Sequence, residues 1–146
     1  MLRVARLAIV FGLALTSVAA RAPRFTVVEA SMADTARALR THRVTSRELV
    51  QQSLTRIALY EDRLNAIITV NPRALDEADA LDRERAAGHV RGPLHGIPIA
   101  VKDNIQTRDL PTTGGARAFA GLQPTEDAPL VRQDRKSTRL NSSHMS

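Results

Sequence analysis

The stretch Ile97-Pro98-Ile99-Ala100-Val101 is apolar at odd and even positions alike, and it ends at once in Lys102-Asp103-Asn104. A strand with one wet face alternates apolar and polar residues. A run that is apolar on both parities predicts a strand covered on both faces, and such strands belong to sheets layered between helices. Pro98 cannot donate to a ladder, so pairing is predicted to begin just after it, within a strand bounded by residues 97–102.

The preceding chain supplies helices for such a layer. Residues 33–41 read as a short helix with Ala36, Ala38 and Leu39 near one side. Thr45-Ser46-Arg47-Glu48 is a capping-box pattern opening a longer helix, in which Leu49, Ser53, Ile57 and Tyr60 recur at helical spacing as a core stripe. Val50, Leu54 and Leu64 flank that stripe. The β-branched stretch Asn65–Val70 predicts a strand. Asn71 suits the cap of a third helix, Pro72 its first position and Gly88 its end, with Ala74, Ala78 and Leu81 facing inward and Leu75 beside them. Asp76, Glu77, Asp79, Asp82 and Glu84 alternate with arginines there and predict a solvated face, not an acid/base pair. After the strand at 97–102 comes a turn-rich loop with Gly114-Gly115, then the first turn of another helix near Pro129. Helices alternating with strands specify the α/β class. Two strands are too few for a sheet, so the fold is expected to be incomplete in this chain.

Both ends read as segments apart from this body. Residues 1–20 carry Arg3 and Arg6, an apolar stretch from Leu7 to Leu15, then Ser17-Val18-Ala19-Ala20. That order of charged, apolar and small residues is a secretory signal, too short in its apolar part for a permanent span. Cleavage near Ala19 or Ala20 would leave an exported chain, periplasmic or extracellular, without a stable membrane anchor. Residues 134–146 have no apolar periodicity, and Asp134–His144 resembles a translated sequencing adapter. They are expected to be non-native, leaving residues 21–133 as the body.

The formal charge of +6 shrinks accordingly. Arg3 and Arg6 supply two charges, and the tail another two net, which leaves the body near +2. A basic chain of this size could be a small nucleic-acid-binding module. With most of the excess outside the body, no nucleic-acid partner is expected.

Lysine occurs only at Lys102 and Lys136, against arginine nearly everywhere else a cation stands. Lys102 is therefore the one lysine of the body, at the C-terminal end of its most apolar strand. Strand ends of α/β sheets are common site positions. An amine drawn toward apolar surroundings gives up its proton more readily and can then act as a general base. A guanidinium cannot. An exposed Lys102–Asp103 pair is the plainer alternative. His89 and His95 flank the loop before the strand and read as surface residues. No metal-ligand spacing occurs, and Gly114-Gly115 read as a turn and not as an anion cradle.

The segment "GPLHGIPIAVKDNIQTRDLPTTGGARAFAG", with "PTEDAPLVR" after it and the helical lead-in before it, resembles the amidase signature family, hydrolases with a Ser–cis-Ser–Lys triad. The resemblance covers roughly residues 35–132. It implies the N-terminal part of the amidase signature fold, a mixed β-sheet core covered by helices. It implies a small-molecule amide as substrate and no cofactor or metal. It assigns Lys102 as the catalytic base, acting neutral through a bridging serine on a nucleophilic serine, while Asp103 and Asn104 hold the loop after the strand. The Gly/Ser-rich segment bearing both serines is absent from these 146 residues. Ser31, Ser46 and Ser53 fall in or beside helices, and the chain alone is expected to be inactive. One component of a tRNA-dependent amidotransferase shares this opening; an export signal argues against it, because that chemistry is cytosolic.

Overall fold

The computed structural model describes residues 24–137 and 142–145. The leader expected over residues 1–20 lies outside them. Along the chain run α1 (Met32–Arg40), α2 (Ser46–Leu64), β1 (Ile67–Thr69), α3 (Ala74–Ala86), β2 (Ile99–Lys102), a 3-10 turn at Arg117–Phe119, α4 (Pro129–Ser137) and β3 (Ser142–Met145). The sheet is mixed and small, and helices pack beside it, so the α/β class holds.

Local chemistry starts the helices where expected. Ser31 caps α1, its hydroxyl accepting the Asp34 N–H at 3.1 Å and donating to the Asp34 carboxylate at 2.5 Å. The hydroxyl bond holds the Asp34 carboxyl below its ordinary value. Because the folded value is the lower one, this contribution is complete above the unfolded aspartate range and is lost as pH falls through the folded value. At α2 the capping box forms in full: Thr45 Oγ1 accepts the Glu48 N–H at 3.1 Å, and the Thr45 N–H donates to the Glu48 carboxylate at 2.8 Å.

The acidic face of α3 is not merely solvated. The Asp82 carboxylate accepts the Ser46 and Arg47 N–H groups at 2.8 and 3.0 Å, and Asp79 pairs with Arg47. A carboxylate from one helix thus satisfies the orphan donors and the positive end of another. Thr45→Ala is expected to lower stability by about 1 kcal/mol, as N-cap losses do. Urea unfolding followed by far-UV circular dichroism measures it, and an unchanged midpoint would mean that Asp82 alone suffices.

The start of α3 departs from expectation. Asn71 Oδ1 accepts the Arg73 N–H at 2.9 Å, closing an Asx turn that keeps Pro72 in the turn. The helix therefore begins at Ala74 after an Arg73 cap that makes no side-chain bond. Its end is as read: Gly88 adopts φ +80° just past the last turn.

The core forms at three places. Ala38, Leu39, Val44, Leu49 and Ile97 join α1, the start of α2 and the approach to β2. Val50, Ala74 and Ala78 join α2 to α3. Val101 and Val131 join β2 to α4. The stripe expected along α2 is core only in its first half: Leu49 and Val50 are buried, whereas Tyr60 and Leu64 are 42% and 68% exposed. The described residues cover only the N-terminal half of that face.

Gly96 sets how closely the β2 approach meets α2. Its φ is +83°, and a Cβ there would collide with the Ser46 hydroxyl oxygen, with the Arg85 guanidinium 3.3 Å away. Gly96→Ala combines left-handed strain with overpacking and is expected to cost about 2–3 kcal/mol. A urea midpoint within error of the parent chain would contradict this contact.

The sheet order is β1-β3-β2. β1 runs antiparallel to β3 and β2 runs parallel to it. One expectation fails here. Among the described residues β2 is an edge strand covered on one face: Val101 is buried and Ile99 half-buried toward α4, while Ala100 and Lys102 are exposed. The second apolar parity has no layer against it among the described residues. The tail, set apart from the body for its lack of apolar periodicity, supplies the central strand β3. Facing strand edges present unpaired N–H and C=O groups that any extended backbone can satisfy. α4 likewise continues through the boundary expected at residue 133.

Candidate active site

Lys102 is the last residue of β2, and its side chain is exposed. The chain turns immediately, with the Ile105 N–H donating to the Lys102 carbonyl at 2.9 Å. The apolar enclosure anticipated around the amine is not supplied by the described residues. Alternation explains this: Val101 takes the covered face of the strand, so Lys102 takes the open one.

Asp103 does the opposite. It is 2% exposed. Its Oδ1 accepts the Thr113 N–H at 2.9 Å, and its Oδ2 accepts the Thr113 hydroxyl and the Gly115 N–H, the latter at 3.2 Å. The Gly114 N–H donates to the Asp103 carbonyl at 3.2 Å. The main engagement of the carboxylate is thus with the loop, in place of a plain exposed Lys102–Asp103 pair. Gly114 and Gly115, at φ +57° and +78°, make the concave turn this requires. Only the Gly115 N–H reaches the Asp103 carboxylate, the Gly114 N–H going to the backbone carbonyl, so the pair forms the turn expected of it. Asp103 fixes the loop as expected; Asn104 is exposed.

The rest of the loop is framed by backbone bonds. The Ala128 N–H donates to the Gln106 carbonyl at 2.9 Å, and the Thr112 N–H to the Leu122 carbonyl at 2.9 Å. Asp127 accepts the Arg108 N–H at 2.8 Å and pairs with Arg135 Nε at 2.8 Å. Thr107 and Leu110 are buried beneath. None of Thr107, Thr112, Thr113 or Asp127 stands out in the sequence. A signal exists for Thr113, which directly precedes a Gly-Gly turn ten residues after a buried acid.

The histidines separate. His89 is exposed, as read. His95 is not a surface residue: it is 1% exposed, with Nε2 3.0 Å from the Leu81 carbonyl and the Arg85 guanidinium donating to its own carbonyl at 2.5 Å. The positive φ of Gly96 turns the chain inward there and carries His95 against α3. Ser31 caps α1, the Ser46 hydroxyl is buried beside Gly96, and Ser53 donates its hydroxyl to the Leu49 carbonyl at 2.9 Å. The arrangement therefore offers one exposed amine on a pinned strand end, with no nucleophile beside it in a glycine-rich loop among the described residues.

Known proteins match this sequence and fold. The family described as Amidase matches residues 48–138. A glutamyl-tRNA(Gln) amidotransferase subunit of Salinispora arenicola is 46% identical over 87 residues, covering 59% of this chain and 18% of the relative. An indoleacetamide hydrolase of Bradyrhizobium diazoefficiens is 36% identical over 116 residues, covering 79% of this chain and 22% of the relative. Among solved structures, the native peptide amidase of Stenotrophomonas maltophilia superposes with a TM-score of 0.75 at 40% identity, covering 80% of this chain and 24% of that one. The chain thus spans about a fifth to a quarter of the length of these proteins.

Proposed function

Because the chain belongs to the amidase signature family, we propose that it carries the lysine-bearing opening of an enzyme that hydrolyses a carboxamide C–N bond, with Lys102 as the general base. The observation that carries this reading is the division of labour at the end of β2. Asp103 is buried and holds the Thr113–Gly115 loop, while the adjacent amine is left exposed to face a reacting partner. A rigid support beneath an exposed titratable group is what positioning for proton transfer needs.

In this reading the neutral amine takes a proton through a bridging serine from a nucleophilic serine. The serine oxygen bonds to the amide carbon, ammonia or an amine leaves with the proton, and water then hydrolyses the ester. Both serines come from chain beyond these 146 residues. Whether the leaving group is ammonia or a peptide-derived amine is part of the proposal, since relatives with both kinds of name occur.

The similarity to an amidotransferase component favours a second reading, transfer of the released ammonia to a charged tRNA. The test is a chain continued through the uninterrupted reading frame, assayed in parallel for ammonia release from simple carboxamides and for amidation of glutamyl-tRNA(Gln). Ammonia release without amidation supports the hydrolase. Amidation only with partner subunits would replace it. A reporter fused behind residues 1–20 bears on the same choice, because export would remove the chain from its tRNA. The 146-residue chain is expected to release no ammonia; release that is lost in Lys102→Ala would overturn the dependence on the two serines.

A further inference from the structure

We propose that His95 is a positioning residue for the general base: it anchors the entry of β2 to α3 and thereby fixes where the strand end presents Lys102. The inference rests on the hydrolase reading above, in which the Lys102 amine moves the proton.

The strand is held at its two ends by different means. Beyond Lys102, Asp103 ties the exit to the Thr113–Gly115 loop. Before Ile97, the loop from Arg91 to Gly96 is clasped to α3. Arg91 pairs with Glu84 there, its Nε donating at 2.7 Å. The Arg85 guanidinium donates to the His95 carbonyl at 2.5 Å. The His95 ring is 1% exposed and meets the Leu81 carbonyl at 3.0 Å. A carbonyl only accepts, so Nε2 carries the ring proton, and Nδ1 accepts the Arg91 N–H at 3.4 Å. Both ring nitrogens are therefore engaged, a demand that a side chain filling space alone would not meet.

This clasp is continuous with the strand. Gly96 follows at φ +83° against Ser46 of α2, and Ile97 enters the core of Ala38, Leu39, Val44 and Leu49. From Ile97 to Lys102 an extended chain covers about 16 Å. Lys102 itself is exposed, so its amine goes where the strand end goes. A shift at the entry is carried along the strand to that amine. Misplacing a reacting group by about 1 Å can cost on the order of 10²-fold in rate.

The test uses the enzyme continued to full length. His95→Phe keeps an aromatic ring and removes both ring bonds. It should lower kcat for carboxamide hydrolysis by about 10²-fold, with KM within about twofold of the parent. His95→Gln places an amide N–H within reach of the Leu81 carbonyl and should recover most of that loss. In a Lys102→Ala background, His95→Phe should change the residual rate by less than about threefold, because its effect passes through the amine. A soluble His95→Phe enzyme with the parental kcat overturns the proposal. So does an equal proportional loss with and without Lys102, which would make His95 a general structural residue. Arg85→Met leaves the ring in place and removes only the guanidinium bond to the His95 carbonyl; it should lower kcat by about tenfold. If His95→Phe does not fold, an unchanged kcat in Arg85→Met decides against the proposal. Parental activity in Lys102→Ala sinks the hydrolase reading and this inference with it, whereas loss in Lys102→Ala with none in His95→Phe sinks this inference alone.

Discussion

Replacing Lys102 by alanine in the continued, full-length enzyme is expected to lower kcat/KM for carboxamide hydrolysis by roughly 10³-fold or more, with KM little changed. Removal of a positioned general base costs on the order of 10²–10⁴ in rate, about 3–5 kcal/mol of barrier. The base is engaged as the proton moves, so the loss falls on kcat and not on ground-state binding. Lys102→Arg should rescue little of it, because a guanidinium keeps its proton. The substitution should leave stability within about 0.5 kcal/mol, since the side chain is exposed. A steady-state assay paired with urea unfolding separates the two roles. Activity within a few-fold of the parent would remove Lys102 from the mechanism, and a large stability loss would make it a structural residue.

Asp103→Ala should be the most destabilising single change at the site, at about 3–4 kcal/mol. The carboxylate is buried, and three donors converge on it: the Thr113 N–H, the Thr113 hydroxyl and the Gly115 N–H. Hydrogen bonds to a charged acceptor are worth about 1.5–3 kcal/mol each, and the total is reduced because a loop released from its anchor can recover water. Asp103→Asn should cost roughly half as much, because it retains an acceptor oxygen but turns an NH2 group toward donors. Urea midpoints for the two variants test the ranking. Equal losses would mean that packing of the side chain, and not its acceptor capacity, holds the loop.

Much of the local structure is legible in the sequence because it rests on short-range chemistry. The Thr45–Glu48 capping box, the left-handed stop at Gly88, the start of β2 just after Pro98 and the start of α4 at Pro129 each depend on a few neighbouring residues. The candidate lysine is legible too, through its scarcity and its place after an apolar run. Pattern misleads where the deciding partner is distant in sequence. Asp82 reads as a solvated acid because nothing near it in the chain shows that it caps α2, some 35 residues earlier. His95 reads as a surface residue because a loop composition hides the inward turn at Gly96.

By itself the sequence determined the α/β class, the starts of α1, α2 and α4 and the stop of α3, the family, and which amine stands at the end of β2, since periodicity, caps and composition act over one or two turns of chain. Only the tertiary structure decided which faces are covered. It buried the Asp103 carboxylate against Thr113 and Gly115, left Lys102 and the far half of α2 exposed, and seated a polar segment between two apolar strands. Burial and strand pairing are set by whichever surfaces meet in space, and local pattern names a candidate face without naming what will cover it.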